Sequence, residues 1–141
     1  MALPTAPIKA IRDGFILLPV DPAAPAGTKL GWGDPVIPGL RPETTVTACT
    51  TLIPTGGVPP LWQVPIEQFT VQLCTYHPTA GDAYTRAWQA YAQLHQRTEW
   101  LLTSWRAELV EALQQPYVLP QEGTTGLFRV VFNFLATLIE R

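Results

Sequence analysis

EQFTVQLCTY, residues 67–76, is the stretch that decides the fold, because apolar and polar side chains alternate along it. A period of two residues is that of a β-strand with one buried and one open face. The buried side would carry Phe69, Val71 and Leu73, and the open side would carry Gln68, Thr70, Gln72 and Cys74. The segment therefore predicts a strand, Glu67–Tyr76, whose open face is lined mainly by amides and hydroxyls.

A helix is predicted directly after this strand. Thr79 is a favourable N-cap, and Asp82 three residues later resembles a capping box with a shorter acid. The apolar residues that follow recur at helical spacing, and they are Tyr84, Ala87, Trp88, Tyr91, Leu94 and His95. This pattern is typical of an amphipathic helix that packs on a sheet, and it predicts that Trp88 and His95 lie in the core.

Segments on either side extend this strand and helix. Residues 7–14 predict a short helix, since the proline suits a first helical position and Gly14 can end the helix. A Thr-rich strand is predicted at Val46–Ile53, ended by Pro54. Leu127–Ile139 predicts a long strand, because apolar residues occupy every second position.

Residues 100–113 fit two kinds of structure. Leu101, Trp105 and Leu109 have helical spacing, and the run Glu-Leu-Val-Glu-Ala-Leu favours a helix. Trp105, Ala107 and Leu109 also alternate with their neighbours as they would in a strand. Periodicity alone does not decide between the two.

The composition predicts one folded domain that has partners. The 141 residues are 47% hydrophobic, which is enough for an independent core. Only 14% are charged, against about 25% in an ordinary soluble domain, so we expect other subunits to cover part of the surface. Most of the prolines lie in the first half of the sequence. We therefore predict a single domain over residues 1–141, with a Pro-rich N-terminal segment, 1–26, and an α+β core, 27–141.

Charge and motif content disfavour several classes of function. The net charge is −2 with only two lysines, so no basic face for nucleic acid is visible. No apolar run approaches the ~20 residues of a membrane span. The N-terminus lacks the basic region of a signal peptide, which predicts assembly in the cytoplasm. Cys49 and Cys74 have no metal-ligand spacing and are predicted to be buried thiols, so neither a metal nor a cofactor is expected.

Catalysis is not predicted either. His77 and Asp82 would be the best acid–base pair, but His77 precedes a proline in the turn between strand and helix. The sequence has no nucleophile elbow, and Ser104 is its only serine. We therefore expect a protein that is not an enzyme.

Two features supply candidate contacts between subunits. Trp32 and Trp62 lie in Pro/Gly-rich stretches, where a tryptophan either folds back onto the domain or anchors a subunit contact. The open face of the predicted strand is the second feature. The candidate interface residues are Trp32, Trp62, Gln68, Thr70 and Gln72.

Four stretches follow one another in a characteristic order. The first two are the loop Gly27–Pro35 and the Gln/Thr-alternating strand Gln68–Leu73. The third is the small-residue start of the helix, Thr79–Tyr84. The fourth joins the proline-containing connection Pro116–Pro120 to the closing strand at Gly126–Asn133. In this order the chain resembles the tail terminators of long-tailed bacteriophages, within the broad group of tail completion or minor capsid proteins, although its N-terminal helix is shorter than is common there.

The resemblance implies an α+β fold: a mixed or antiparallel sheet of about four strands, one main helix packed on one face, and long loops. It favours a strand at Trp105–Leu113. It also implies a homohexameric ring that caps the tail tube, ends its polymerisation and meets the head–tail connector protein. DNA would pass through the ring without specific binding, and the protein would lie in the virion at the head-proximal end of the tail.

Two alternatives stay open on the sequence alone. A neck or head-completion connector protein of the same particle also forms a ring, and residue spacing does not separate it from a terminator. A non-catalytic module that binds a small molecule or peptide would instead be a monomer with an apolar pocket among the Trp-bearing loops.

Overall fold

A mixed seven-stranded sheet and two helices make up the described part of the chain. In this computed structural model that part comprises residues 5–18, 35–39, 48–58, 66–119 and 126–141. In chain order the elements are α1 (Pro7–Phe15), β1 (Val36–Pro38), β2 (Cys49–Val58), β3 (Ile66–His77), α2 (Ala80–Leu94), β4 (Arg97–Leu102), β5 (Trp105–Ala112), β6 (Tyr117–Leu119) and β7 (Phe128–Glu140). The expected α+β class is confirmed.

The strand order is β1-β2-β3-β7-β5-β4, and β6 pairs with β7 beyond the end of β5. β1 and β2 are parallel, whereas the other pairings are antiparallel, so the sheet is mixed. The described residues thus form seven strands where about four were expected, and two helices where one main helix was expected. Short strands account for part of the difference, because the three residues of β1 or β6 are too few to show a period.

β3 and β7 form the centre of the sheet and pair along the whole of β3, from Ile66 opposite Ile139 to His77 opposite Phe128. Both strands were predicted from the sequence, and each agrees with its predicted range to within one residue at either end. Leu73 and Phe132 face each other on one side of this pair, and both are fully buried. We call this side the inner face.

Both helices pack on the inner face. The main core joins residues of α1 and α2 to six of the strands, and its buried members are Ala10, Ile11, Phe15, Leu18, Val36, Leu52, Val71, Leu73, Ala90, Leu94, Trp100, Leu102, Trp105, Ala107, Val110, Phe132, Phe134, Ala136 and Leu138. Burial of this many large apolar side chains supplies the main driving force for folding.

The predicted N-cap of α2 is confirmed. Thr79 has an extended backbone, and its hydroxyl oxygen accepts a hydrogen bond from the Asp82 N–H at 3.3 Å. The face that packs on the sheet is built from small residues, since Ala83, Ala87 and Ala90 are fully buried. These alanines bring the helix backbone close to the sheet. The expectation that Trp88 lies in the core is therefore wrong, because its ring stays on the flank of the helix and is half-buried.

Residues 100–113 belong to a β-hairpin. β4 and β5 are joined at Thr103–Ser104, where Ser104 has a φ of 67°. The strand favoured at Trp105–Leu113 is confirmed, and the helical alternative is wrong. The expected alternation of Trp105, Ala107 and Leu109 is wrong at its last member, because a bulge between Ala107 and Leu109 turns Leu109 to the opposite side of the sheet. The bulge places Val110, three residues after Ala107, on the same buried side, which mimics helical spacing.

β2 continues beyond the predicted end. Pro54 does not terminate the strand, which runs through a bulge between Pro54 and Gly56 to Val58. Gly56 has a φ of 108°, a conformation that glycine adopts without the steric cost of a Cβ. The bulge changes the register of the strand without breaking its pairing with β3. The first part of the predicted range, residues 46–47, lies outside the described residues.

α1 agrees with the predicted helix, except that Gly14 does not end it and Phe15 closes its last turn. The helix lies between the two edge strands of the curled sheet. Arg12 Nε donates a hydrogen bond to the Val36 carbonyl of β1 at 3.1 Å. Near the other edge, Trp105 Nε1 of β5, the strand next to the edge strand β4, donates to the Thr5 carbonyl at 2.7 Å. α1 and the residues before it therefore connect strands that are far apart in the sheet order.

A smaller cluster lies on the opposite side of the sheet. Its buried members are Cys49, Cys74, Tyr76, Leu127 and Val131. Both cysteines are buried, as predicted, and no disulfide joins them. Cys74 was predicted on the open side of β3, but at this end Leu127 and the half-buried Leu119 pack over that side.

Candidate functional site

The side of the sheet opposite the helices is uncovered by the described residues over the middle of β3, β7 and β5. We call this surface the open sheet face, and it comprises Ile53, Gln68, Thr70, Gln72, Arg106, Leu109, Glu111, Leu113, Asn133, Leu135, Thr137 and Ile139. Side chains on one face of a strand recur every second residue, so the register alone brings these residues together.

Three predicted interface residues lie in one row on this face. Gln68, Thr70 and Gln72 occupy alternate positions of β3, which separates neighbours by about 7 Å. Gln72 lies opposite Asn133, which sets two amides side by side, and Gln68 lies opposite Thr137. The structure therefore gathers the amides and hydroxyls that the sequence pattern predicted.

Thr70 has a local structural role as well. Its hydroxyl donates a hydrogen bond to the carbonyl of Gly56, next to the β2 bulge. The hydroxyl thus satisfies a backbone acceptor on the neighbouring strand. Of the three residues in the row, Gln68 is the most exposed, whereas Thr70 and Gln72 are half-buried.

The other half of the open sheet face is apolar, which the sequence analysis did not recognise. Leu109, Leu135 and Ile139 are half-buried, and Leu113 is 56% exposed. Leu113 is held at the end of β5 because its N–H donates to the Asn133 carbonyl at 2.8 Å. The sequence of β7 did contain this information, because Leu135 and Ile139 are apolar although they lie between the alternating residues of the buried face.

The charged residues of the open sheet face lie on β5 and not in the centre of the face. Arg106 and Glu111 are both exposed, and Arg106 also forms an ion pair with Glu108. The row on β3 and the facing residues of β7 carry no formal charge. A surface with an uncharged centre and a charged margin has the composition of a protein–protein interface.

His77 and Asp82, the acid–base pair considered from the sequence, line one shallow depression of about 400 Å³ between β3 and α2. Its other lining residues are Thr85, Arg86 and Gln89. Ser104 lies elsewhere, in the β4–β5 turn, where its hydroxyl accepts a hydrogen bond from the Thr5 N–H at 3.1 Å. The depression therefore brings together a histidine, a carboxylate and a guanidinium, but not the only serine.

His95, predicted to be a satisfied core residue, is half-buried at the end of α2. Its Nδ1 accepts a hydrogen bond from the Ala112 N–H at 3.1 Å, and its ring stacks on Tyr91 at 5.0 Å. The side chain thus ties α2 to β5. The prediction of a bonded structural histidine holds, although its burial is only partial.

Arg97 also joins α2 to the sheet, and no sequence signal pointed to it. Nε donates to the Gln93 carbonyl at 2.8 Å, and a terminal nitrogen donates to Gln93 Oε1 at 2.9 Å. The guanidinium lies 5.8 Å from the centre of the Trp100 ring. Burial among these groups lowers the pKa of Arg97 from its usual value, because desolvation disfavours the charged form.

The fold is similar to that of a protein in a known virion. A solved chain from the "Virion of native gene transfer agent (GTA) particle" superposes with a TM-score of 0.59. The match covers 74% of this chain and 78% of that one, at 13% sequence identity. No protein-family profile and no curated protein matches the sequence. At this identity the similarity shows a shared fold.

A second surface that is not covered by any of the described residues lies on the helix side of the sheet. Tyr84, Trp88 and Tyr91 form a continuous row of edge-to-face contacts along one flank of α2, with ring centres 6.0 and 5.0 Å apart. Tyr91 also packs edge-on against Phe132 at 5.8 Å, which anchors the row to the sheet. Val118 of β6 belongs to this side, because it pairs with Val130 on the inner face. We call these four residues the aromatic flank.

The three aromatic residues of this flank were predicted from the sequence to lie on the buried face of the helix, and part of the flank is exposed. Tyr84 is 41% and Val118 54% exposed, and Trp88 is half-buried. Helical periodicity correctly predicted an amphipathic helix, but it placed the buried face about one position away from where that face lies.

The two remaining interface candidates, Trp32 and Trp62, lie outside the described residues. Neither helix in the described part of the chain is long and apolar enough to span a membrane.

Proposed function

We propose that this protein is a structural, non-catalytic component of a virion. The observation that carries the proposal is the fold similarity, which extends over about three-quarters of both chains to a protein of a gene transfer agent particle. Two surfaces that the described part of the chain leaves uncovered have uncharged centres, which supports an assembly role, since interface cores are depleted of charge. The low charged fraction of 14% is consistent with such a role.

The more specific proposal is a tail terminator at the head-proximal end of the tail. In this role six copies form a ring that caps the tail tube, ends its polymerisation and provides the surface for the head–tail connector protein. The ordered stretches of sequence that resemble tail terminators support it, and two of them are the central strand β3 and the capped start of α2. The net charge of −2 suits a ring through which DNA passes without specific binding.

Native mass spectrometry over a wide concentration range, with negative-stain images of the same sample, tests the assembly role. We expect closed six-fold rings, formed either by the protein alone or after addition of isolated tail tubes. Rings that bind tube ends and halt tube growth would support the terminator. Rings that bind only the connector would favour the neck or head-completion protein. A protein that stays monomeric and binds neither tail tubes nor the connector would contradict both the terminator and the neck protein.

A ligand-binding module is the competing function, and the depression lined by His77 and Arg86 is the observation that favours it. This function predicts a monomer that binds a small molecule there. Screening the monomer by thermal shift, with Arg86→Ala as the control, would detect such a ligand. A reproducible stabilisation lost in Arg86→Ala, together with a failure to assemble, would overturn the virion proposal.

Trp62→Ala tests the tryptophan proposed as an interface anchor. We expect the variant to keep the circular dichroism spectrum of the parent protein and to assemble more weakly, because aromatic anchors carry a large share of interface energy. Trp32→Ala provides the parallel measurement for the other tryptophan. If Trp62→Ala unfolds the monomer, the tryptophan belongs to the core and its interface role is wrong.

A further inference from the structure

The described residues leave two surfaces uncovered, and these surfaces lie on opposite sides of one sheet. The open sheet face lies on one side, whereas α2 and the aromatic flank lie on the other. Residues adjacent on β7 separate the two sides: Phe132 contacts Tyr91 beneath the helix, and Asn133 points to the open sheet face. A single copy cannot bring these two surfaces together, but two copies can.

We infer that the aromatic flank of one copy packs on the open sheet face of the next copy. This inference rests on the proposed ring-forming role and specifies its contact. A contact between two different surfaces is heterologous, so each copy keeps one surface available and the contact can repeat. It closes into a ring where the rotation between successive copies allows closure, and otherwise extends as a filament. A contact between two open sheet faces would instead use up both surfaces in a closed dimer.

The chemistry of the two surfaces is complementary. The open sheet face offers leucine and isoleucine side chains beside a row of amides, including Leu135 and Gln72. The aromatic flank offers large rings that carry polar hydrogens, on Tyr84 and Trp88. Rings of this kind bury apolar area while their O–H or N–H groups find acceptors, and amide oxygens are such acceptors.

Charge favours a second copy over a charged partner. Neither the aromatic flank nor the central row of the open sheet face contains an Asp, Glu, Lys or Arg. The charged residues of the open sheet face, Arg106 and Glu111, lie on β5 and have both signs. On α2, Asp82 and Arg86 lie on the flank opposite the aromatic rings, where they line the depression. These surfaces carry no cluster of charges of one sign that would attract a strongly acidic or basic partner. The corresponding surfaces of two copies of this chain, by contrast, match each other in polarity.

Two arginine variants test the contact, each placed on one surface. Tyr84→Arg blocks the aromatic flank, and Thr137→Arg blocks the open sheet face. Both positions are partly accessible, so a long side chain can reach solvent in the monomer, which circular dichroism checks. The matched control is Gln89→Arg, which adds the same charge to the other flank of α2.

Native mass spectrometry supplies the readout. We expect the wild-type chain and Gln89→Arg to assemble alike, and Tyr84→Arg and Thr137→Arg each to stay monomeric when alone. A mixture of these two variants should form a 1:1 dimer and nothing larger, because it contains one intact pair of surfaces per two copies. A two-fold contact between identical surfaces cannot give this result.

Several outcomes would overturn the inference. The first is normal assembly of either blocked variant, and the second is loss of assembly in Gln89→Arg. The third is a mixture of the two folded blocked variants that stays monomeric. The fourth is a wild-type chain that stays monomeric up to about 1 mM, a concentration at which even a very weak contact would form. The proposed function can survive these outcomes. Wild-type rings that persist in Tyr84→Arg, or monomers that bind tail tubes, would refute the contact and leave the virion role standing.

Discussion

Gly14 shows how one residue can be required by a distant strand. In the sequence it resembled a helix stop, but the helix continues past it to Phe15. A Cβ built at this position would lie 2.3 Å from Leu102 Cδ2 and 3.0 Å from the Trp100 ring. The missing side chain therefore allows α1 to approach β4, and the glycine is needed for packing.

Gly14→Ala should consequently destabilise the fold even though alanine favours helices. Overpacking of a filled site typically costs about 1–3 kcal/mol. We expect this cost to exceed the ~1 kcal/mol gained in helix propensity, because Trp100 and Leu102 are both buried. Urea unfolding measures the difference. The control is Gly81→Ala, at an exposed position of α2 where an added Cβ meets nothing within 4 Å. That variant should be neutral or more stable, and a stabilised Gly14→Ala would refute the packing argument.

At the scale of the element, α2 combines a local start signal with a packing choice that is not local. Its N-cap depends on Thr79 and the backbone three residues away, so it was readable from the sequence. Its orientation depends on Ala83, Ala87 and Ala90, which fit closely against the sheet. The large aromatic rings lie on the flank of α2 because a row of alanines permits a closer and better-packed contact between the helix and the sheet.

Thr79→Ala should lower the free energy of unfolding by about 1 kcal/mol, because the Asp82 N–H loses its side-chain acceptor. The loss should appear in the midpoint of chemical unfolding, without a change in the folded circular dichroism spectrum. Thr79→Ser, which retains the hydroxyl, should recover most of the stability. Equal losses in both variants would mean that the methyl group, and not the cap, matters at this position.

At the scale of the whole molecule, α1 connects the two edges of the sheet. Arg12 reaches the carbonyl of Val36 in β1, while Gly14 packs against β4. β1 in turn is held to β2 by the Thr50 N–H, which donates to the Pro35 carbonyl at 2.9 Å. An edge strand of three residues has few contacts of its own, so we expect its stability to depend on α1.

Arg12→Ala should therefore cost about 1–2 kcal/mol, the range for a hydrogen bond from a charged group that is partly exposed. Hydrogen exchange should accelerate at Gly39 and Thr50, whose amides link β1 and β2. Lys9→Ala is the control, since Lys9 is largely exposed and its 3.9 Å pair with Asp13 contributes little. Unchanged exchange at both amides in Arg12→Ala would show that β1 is stable without α1.

The candidate interface was only partly predictable for a related reason. Alternation along β3 was enough to place Gln68, Thr70 and Gln72 on one face, and the structure confirms that placement. The apolar half of the face comes from Leu109 and Leu135, on strands that are brought side by side by the sheet order. A pattern within one segment carries no information about which strand will lie beside it.

The sequence by itself determined β3, β7, the helices α1 and α2, and the cap of α2, because periodicity and capping depend on residues that are neighbours in the chain. Only the tertiary structure decided the β4–β5 hairpin, the half-buried position of Trp88 on the flank of α2 and the closure of the sheet by α1. These features depend on contacts such as that of Trp105 with Thr5, which are 100 residues apart. Such contacts form only when the whole core packs, and packing selects among local patterns that are individually compatible with more than one structure.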